Sequence, residues 1–93
     1  MNTKTIKQSV LNIMARVNID HELDNTDKTY AVRNWLTGEP VVTTALVVRC
    51  IEWVYSMTQA MEAGYKPVTI SDFDRIRYFI LEQDPNAYMT CID

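Results

Sequence analysis

The residues best suited to chemistry lie together near position 20, where four carboxylates surround the only histidine of the chain. They are Asp20, His21, Glu22, Asp24 and Asp27. A calcium loop needs a glycine at its sixth position and a glutamate at its twelfth, and this segment has neither. A zinc site would need more ligands at metal-binding spacing, which Cys50 and Cys91 do not provide. The sequence therefore predicts no metal ion and no other cofactor.

The same segment has two interpretations that do not involve a metal. His21 could serve as a general base, but no serine or cysteine nucleophile and no glycine-rich loop lies near it in the sequence. We therefore predict that the protein is not an enzyme. The acids are either a solvated loop with helix caps, or a surface that meets a basic patch on another protein. In the second case the partner-binding residues are Asp20, Glu22, Asp24 and Asp27.

A second candidate site follows the acids, where two apolar pairs stand four residues apart. The pairs 31–32 and 35–36, followed by Gly38, predict a short third helix over residues 27–37 with one apolar side. Its opposite side would carry Lys28, Thr29, Arg33 and Asn34. Arginine can bind guanine edges and asparagine can bind adenine, while lysine and threonine bind phosphates. These residue types are typical of a DNA-binding surface.

The segment Tyr30–Val54 resembles the third and fourth helices of Cro/lambda-repressor-like (XRE-type) helix-turn-helix domains. The shared features are Trp35, Gly38, the loop Glu39-Pro40 and the apolar helix that follows. The resemblance implies that five residues of the third helix face the major groove of DNA: Lys28, Thr29, Tyr30, Arg33 and Asn34. It covers about a quarter of the chain, and upstream of it the family's glycine turn is missing. An alternative interpretation is that Trp35 and Leu36 only anchor a short helix in the core.

The remaining sequence has the pattern of longer helices. An apolar stripe predicts a first helix over residues 4–17, with Thr3 as a cap, and Ile19 and Leu23 could form a short second helix. Thr43 or Thr44 can cap a long, very apolar fourth helix that ends near Ala63, before Gly64 and Pro67. Thr69 or Ser71 can cap a fifth helix that Asp84-Pro85 ends, leaving an irregular tail over residues 85–93.

Composition supports one small helical domain spanning residues 1–93. Apolar residues make up 47% of the chain, with only two glycines and three prolines. The predicted fold is all-α, a compact bundle of four to five helices with the long fourth helix at its centre. No apolar run reaches the length of a membrane span, and the N-terminus lacks a signal-peptide pattern. We therefore predict a cytoplasmic protein with Cys50 and Cys91 as free thiols.

Two functions from different classes follow. The first is a small helix-turn-helix-like transcriptional regulator of phage or mobile-element origin, dimeric and bound to DNA. The net charge of −3 argues against wrapping nucleic acid but permits a local contact patch. The second is a non-enzymatic adaptor or inhibitor that binds a host protein through the acidic loop and an apolar helix face. In either case the apolar fourth and fifth helices could also form a homodimer.

Overall fold

The computed structural model describes residues 6–20 and 29–93, which form four helices and one β-hairpin. In chain order the elements are α1 (Gln8–Arg16), β1 (Thr29–Arg33), β2 (Pro40–Thr44), α2 (Ala45–Glu62), α3 (Ile70–Gln83) and α4 (Pro85–Cys91). The all-α prediction is wrong, because β1 and β2 pair as an antiparallel sheet. The predicted second helix falls largely on residues 21–28, outside the described ranges.

The predicted third helix is in fact the first strand and the turn of the hairpin. Residues 29–33 are extended and pair with residues 40–44, so that Val32 lies opposite Val41. Both segments are rich in β-branched residues, which pack well on a pleated surface and are less favourable in a helix. The four-residue spacing that suggested a helix joins a strand residue to a turn residue.

The two faces of the hairpin have different environments. Val32, Val41 and Thr43 lie on the inner face and are buried, and the hairpin packs against α2 and α4. Ala31 and Val42 lie opposite each other on the outer face and are exposed. This alternation is the period-2 pattern of a strand with one covered face.

α1 is described from Gln8, later than the predicted start, and the proposed Thr3 cap lies outside the described residues. Its C-terminal end is well defined. Asn18 has a left-handed backbone with φ of 65°, and the N–H of Ile19 donates to the carbonyl of Met14 at 2.8 Å. This is the Schellman arrangement, in which asparagine replaces the usual glycine. The chain then buries Ile19 against the core.

The predictions for the two long helices are confirmed. α2 begins directly after Thr44, whose hydroxyl accepts from the N–H of Val47 at 3.4 Å, and the turn beyond it contains Gly64 with φ of 94°. α3 begins after Thr69, whose hydroxyl accepts from the N–H of Asp72 at 3.1 Å. α2 is the centre of the fold, since it packs against α3 and both strands.

The predicted irregular tail is wrong, because residues 85–91 form α4. Asp84 ends α3 and its Oδ1 accepts from the N–H of Ala87 at 3.1 Å, so it also caps α4. Pro85 occupies the first helical position, where its missing N–H costs nothing. The same Asp-Pro pair that stops one helix therefore starts the next.

We expect Asp84→Ala to reduce the free energy of unfolding by about 2 kcal/mol. The substitution removes the α4 cap, and it leaves the buried hydroxyl of Thr43 without the Oδ2 acceptor that lies 2.7 Å away. Urea unfolding followed by circular dichroism would measure the change. Asp72→Ala is the comparison variant. It removes an ion pair with Arg16 that is more exposed than the hydrogen bonds of Asp84, so it should cost less than about 1 kcal/mol. Equal losses for the two variants would contradict the role given to Asp84.

The most deeply buried side chains come from α1, α2 and α3. They are Met14, Cys50, Ile51, Ile76 and Ile80. Cys50 and Cys91 are both free thiols, as predicted, and both are buried. Burial raises the pKa of Cys50 to about 12, because the thiolate would lose its hydration in the apolar core.

We expect the stability of the protein to fall in alkaline solution through Cys50. In the unfolded chain this thiol releases its proton near pH 9, whereas the folded chain holds it to about pH 12. Between these values the folded state binds more protons, so the free energy of unfolding decreases by about 1.4 kcal/mol per pH unit from this group. Urea unfolding at several pH values would measure the slope. Cys50→Ala should make the decrease with pH less steep by about 1.4 kcal/mol per pH unit, which corresponds to one proton. A slope equal to that of the wild type would contradict the role given to Cys50.

Candidate protein-binding surface

The turn between the strands, residues 34–39, is organised by the side chain of Asn34. Its Oδ1 accepts from the N–H groups of Leu36 and Thr37 at 2.7 and 3.0 Å. The Asn34 backbone also exchanges hydrogen bonds with its neighbours across the turn, since its N–H donates to Glu39 and its carbonyl accepts from Gly38. Gly38 has φ of 77°, a conformation that glycine adopts without strain. We call residues 34–39 the hairpin tip.

Two further hydrogen bonds involve polar groups of the hairpin tip. The guanidinium of Arg33 donates to the carbonyl of Gly38 at 2.9 Å. The N–H of Glu39 donates to the hydroxyl of Thr37 at 3.2 Å. The hairpin tip is therefore held by its own side chains as well as by the sheet.

Two contacts fix the hairpin tip to the helices behind it. The ring of Trp35 stacks on Tyr55 of α2, with centroids 4.8 Å apart and planes 5° from parallel. The Nδ2 of Asn34 donates to the carbonyl of Thr90 in α4 at 2.9 Å. The hydroxyl of Tyr55 donates to the carbonyl of Cys91 at 2.9 Å. The hairpin tip, α2 and α4 thus form one connected unit.

The titratable groups behind the hairpin tip are held in their neutral forms. Burial raises the pKa of Tyr55, and its contact with Cys91 raises it further. Burial also raises the pKa of Cys91, as does the negative charge of Glu39, while the hydrogen bond with Tyr55 acts in the opposite direction. A thiol whose pKa is raised is a poor nucleophile at neutral pH. The surroundings of Tyr55 and Cys91 therefore suit groups that support the fold, and they do not activate either group for catalysis.

Leu36 is the most exposed large apolar side chain of the hairpin. It is 84% exposed at the hairpin tip, and Trp35 beside it is 38% exposed. Val42, on the outer face of the sheet, is also exposed. The interpretation that Leu36 anchors a core helix is wrong, because this side chain projects into solvent.

The structure does not bring the predicted DNA-contacting residues onto one face. Thr29 and Arg33 lie on the outer face of β1, while Tyr30 lies on the inner face opposite Thr43. Asn34 belongs to the hairpin tip, and Lys28 lies outside the described residues. The helix that was to align these residues is not present at this position.

The acidic segment lies almost entirely outside the described residues, which include only Asp20 of its four acids. Asp20 is exposed. Within residues 6–20 and 29–93, no three His, Cys, Asp or Glu side chains gather in a way that could hold a metal ion. No helix in the described part of the chain combines the length and apolar character needed to cross a membrane.

Sequence reasoning missed the hairpin, although a signal for it was present. Two runs rich in β-branched residues flank a short segment that contains an asparagine and a glycine, which is the composition of a hairpin. The contacts of Asn34 with Thr90 and of Trp35 with Tyr55 join residues far apart in sequence, so local patterns could not predict them.

Comparisons with known proteins give no family assignment. No protein-family model matches this chain, and searches of curated proteins and of solved structures found no match.

We expect Asn34→Ala to destabilise the fold by about 2 kcal/mol, because two N–H groups and the Thr90 carbonyl lose their partner. Asn34→Asp keeps the Oδ1 acceptor but replaces the Nδ2 donor with an anionic oxygen that faces the Thr90 carbonyl, so it should also destabilise the fold, by about 1–3 kcal/mol. Urea unfolding would measure both.

In a Trp53→Phe background, Trp35 emission should shift to the red for the alanine variant. Gln59→Ala, at an exposed site on α2, should change stability by less than about 0.5 kcal/mol. Indistinguishable curves for all three variants would contradict this account.

Proposed function

We propose that this protein is a small non-catalytic protein-binding module, of the adaptor or inhibitor type, and that the hairpin tip makes its main contact. The observation that carries the proposal is the 84% exposure of Leu36 on a turn fixed by Asn34 and Trp35. A rigidly presented apolar side chain favours binding, because little conformational entropy remains to be lost when a partner covers it.

The hydrogen bonds of the hairpin tip support burial in an interface. The N–H groups of Leu36 and Thr37 already donate to Asn34, and those of Gly38 and Glu39 donate within the turn. A donor that is buried without a partner costs about 1–3 kcal/mol. Because these donors keep their partners, an apolar surface can cover the turn without that penalty.

The negative charge of Glu39 indicates which charge the partner carries near Leu36. Glu39 lies at the end of the hairpin tip, is exposed, and is close enough to raise the pKa of Cys91. We therefore expect a partner with an apolar pocket for Leu36 and a lysine or arginine at the rim of that pocket. A charge pair at the rim of an interface contributes more to specificity and association rate than to affinity.

The neutral thiols favour a binding role over catalysis. Cys50 and Cys91 both have raised pKa values, and catalytic cysteines need lowered ones. The cytoplasmic location and the phage or mobile-element origin stay predictions from the sequence.

DNA is the less favoured partner. The guanidinium of Arg33 is bonded to the Gly38 carbonyl and the amide of Asn34 to the Thr90 carbonyl, so both are engaged within the fold. Glu39 would place a negative charge against phosphates. DNA binding stays a prediction that the geometry of the hairpin does not favour.

We expect Leu36→Ser to weaken partner binding at least tenfold, because a central apolar anchor is worth about 2 kcal/mol or more. The immobilised full-length protein would be incubated with extract of its native host, and bound proteins quantified by mass spectrometry. Tyr78→Ser is the matched control, since Tyr78 is a large exposed residue on α3. Glu39→Lys should reduce binding of the same partner less strongly.

A photo-crosslinking residue at position 36 identifies the contact directly, with position 78 as the comparison. The proposal requires one protein to appear in both experiments. It must crosslink from position 36, and in the capture experiment it must be lost with the Leu36→Ser variant and retained with the Tyr78→Ser variant. Recovery of the same proteins by the wild type and Leu36→Ser would contradict it. Nucleic acid recovered in place of a protein, and lost on Arg33→Ala, would favour the DNA-binding alternative.

A further inference from the structure

The hairpin has two edges, and the hydrogen bonds of its ladder show which backbone groups point out of each. The N–H of Asn34 donates to the carbonyl of Glu39, so these two residues form a hydrogen-bonded pair. Hydrogen-bonded and non-hydrogen-bonded pairs alternate along an antiparallel ladder. In the observed register, the backbone groups of Thr29, Ala31 and Arg33 therefore point away from β2. We call this row of outward-pointing groups the β1 edge.

The edge of β2 is protected, whereas the β1 edge is open. Pro40 occupies an outward-pointing position of β2, where it has no N–H to offer, and α4 packs against the same strand. β1 contains no proline, and its one charged side chain, Arg33, is bonded to the Gly38 carbonyl. In the described ranges, no backbone hydrogen bond outside the ladder reaches Ala31 or Arg33. The donors and acceptors of an open edge recur at the spacing of an extended chain, so they fit another β-strand.

A groove of about 430 Å³ runs beside the β1 edge. The residues that line it come from β1 and α2: Tyr30, Ala31, Ala45, Val48, Arg49 and Glu52. Consecutive residues of a strand point to opposite faces, so a groove that both Tyr30 and Ala31 line lies at the edge of the sheet. Tyr30 is 48% exposed there, and Val48 is half-buried. A strand added to the β1 edge would cover this groove.

The charges of the groove indicate that a second copy of the chain supplies this strand. Arg49 and Glu52 both line the groove and are exposed, and in the described part of the chain neither forms an ion pair. In a second α2 that runs antiparallel to the first, the same two residues come in the reverse order. The acid of each helix can then face the base of the other. A partner that carries one sign of charge here would leave either Arg49 or Glu52 unmatched.

We propose that the β1 edge pairs with the β1 edge of a second copy, in antiparallel orientation, about a two-fold axis at Ala31. Two identical strands that pair antiparallel are necessarily related by a two-fold axis. An axis at Ala31 uses all five residues of β1. It pairs Ala31 with itself, Thr29 with the partner's Arg33, and Tyr30 with the partner's Val32. An aromatic residue opposite a β-branched one is a favourable cross-strand pair, and none of these pairs brings like charges together.

The resulting dimer contains a four-stranded sheet with β2 on each outer edge. Pro40 blocks both outer edges, so association stops at two chains. The pairing uses residues 29–33 and leaves the hairpin tip, residues 34–39, outside the paired segment. Because the central strands are antiparallel, the two hairpin tips lie at opposite ends of the sheet. The dimer therefore does not depend on the proposed contact of Leu36.

Sedimentation equilibrium on the full chain at increasing concentration tests the dimer. We expect a mass that rises from the 10.8 kDa of one chain toward twice that value and no further. Ala31→Pro should raise the dissociation constant at least about tenfold, because it removes an outward N–H from each chain and places a ring on the edge. Val42→Pro is the matched control, since Val42 lies opposite Ala31 and its N–H points away from β1. It should leave the dimer unchanged, and urea unfolding shows whether each variant is folded.

Amide hydrogen exchange followed by NMR tests the same edge in the wild-type chain, where no variant has to fold. The N–H groups of Ala31 and Arg33 should exchange more slowly at concentrations where the dimer forms, because a partner strand then accepts from them. The N–H of Val42 should exchange at the same rate at all concentrations. Exchange at Ala31 that does not slow in a dimer would place the interface elsewhere and overturn the proposal.

A charge exchange on α2 tests the orientation of the two copies. Arg49→Glu and Glu52→Arg should each weaken the dimer, and the variant with both changes should restore it, because each acid again faces a base. A double variant that fails to restore association would overturn the antiparallel order of the helices, and with it the axis at Ala31.

Other results would also overturn the proposal. They are a mass of one chain at every concentration, a mass beyond that of two chains, and equal association by Ala31→Pro and Val42→Pro. A chain that stays monomeric alone, but whose Ala31 amide becomes protected in extract of the native host, would assign the β1 edge to a strand of another protein. Leu36→Ser should form the same dimer as the wild type, so failure of the dimer and failure of the hairpin contact are distinguishable.

Discussion

The carboxylate of Asp84 is the contact on which the arrangement of the other elements depends. It accepts from the buried hydroxyl of Thr43 in β2 and from the first turn of α4, and it stands at the end of α3. Three elements thus meet at one side chain. The direction in which α4 leaves α3 follows from this geometry, and so does the position of the hairpin against α4. Since the Thr43 hydroxyl is buried, it depends on this acceptor and not on water.

The long helices could be predicted from the sequence because their signals are local. Thr44 and Thr69 precede apolar stripes, and Gly64 follows the first of these stripes, so caps, periodicity and stop signals agreed. The C-terminal helix was missed for a local reason too. Asp84-Pro85 was interpreted only as a stop, although aspartate followed by proline is also a favourable helix start.

The hairpin could not be predicted in the same way, because both a helical period and a strand period fit the same ten residues. Apolar pairs four residues apart satisfy a helix, while alternation through Tyr30 and Val32 satisfies a strand. The choice is made by the partner strand and by α2 and α4 behind it. The surface at the hairpin tip exists only because this segment forms a strand and a turn and leaves Leu36 exposed. The spacing of apolar residues along the sequence specifies neither of these two properties. That Leu36 projects outward and Trp35 stacks on a helix follows only from the folded turn.

The order in which the chain is synthesised has a consequence for the hairpin. A two-stranded ribbon is marginal in water by itself. The groups that hold this one are Tyr55, Asp84 and the Thr90 carbonyl, all of which follow it in sequence. A ribosome therefore releases residues 29–44 well before their supports exist. We therefore expect the hairpin to acquire its final shape only when α4 has emerged, and its apolar residues to stay exposed to other molecules in the cell until then.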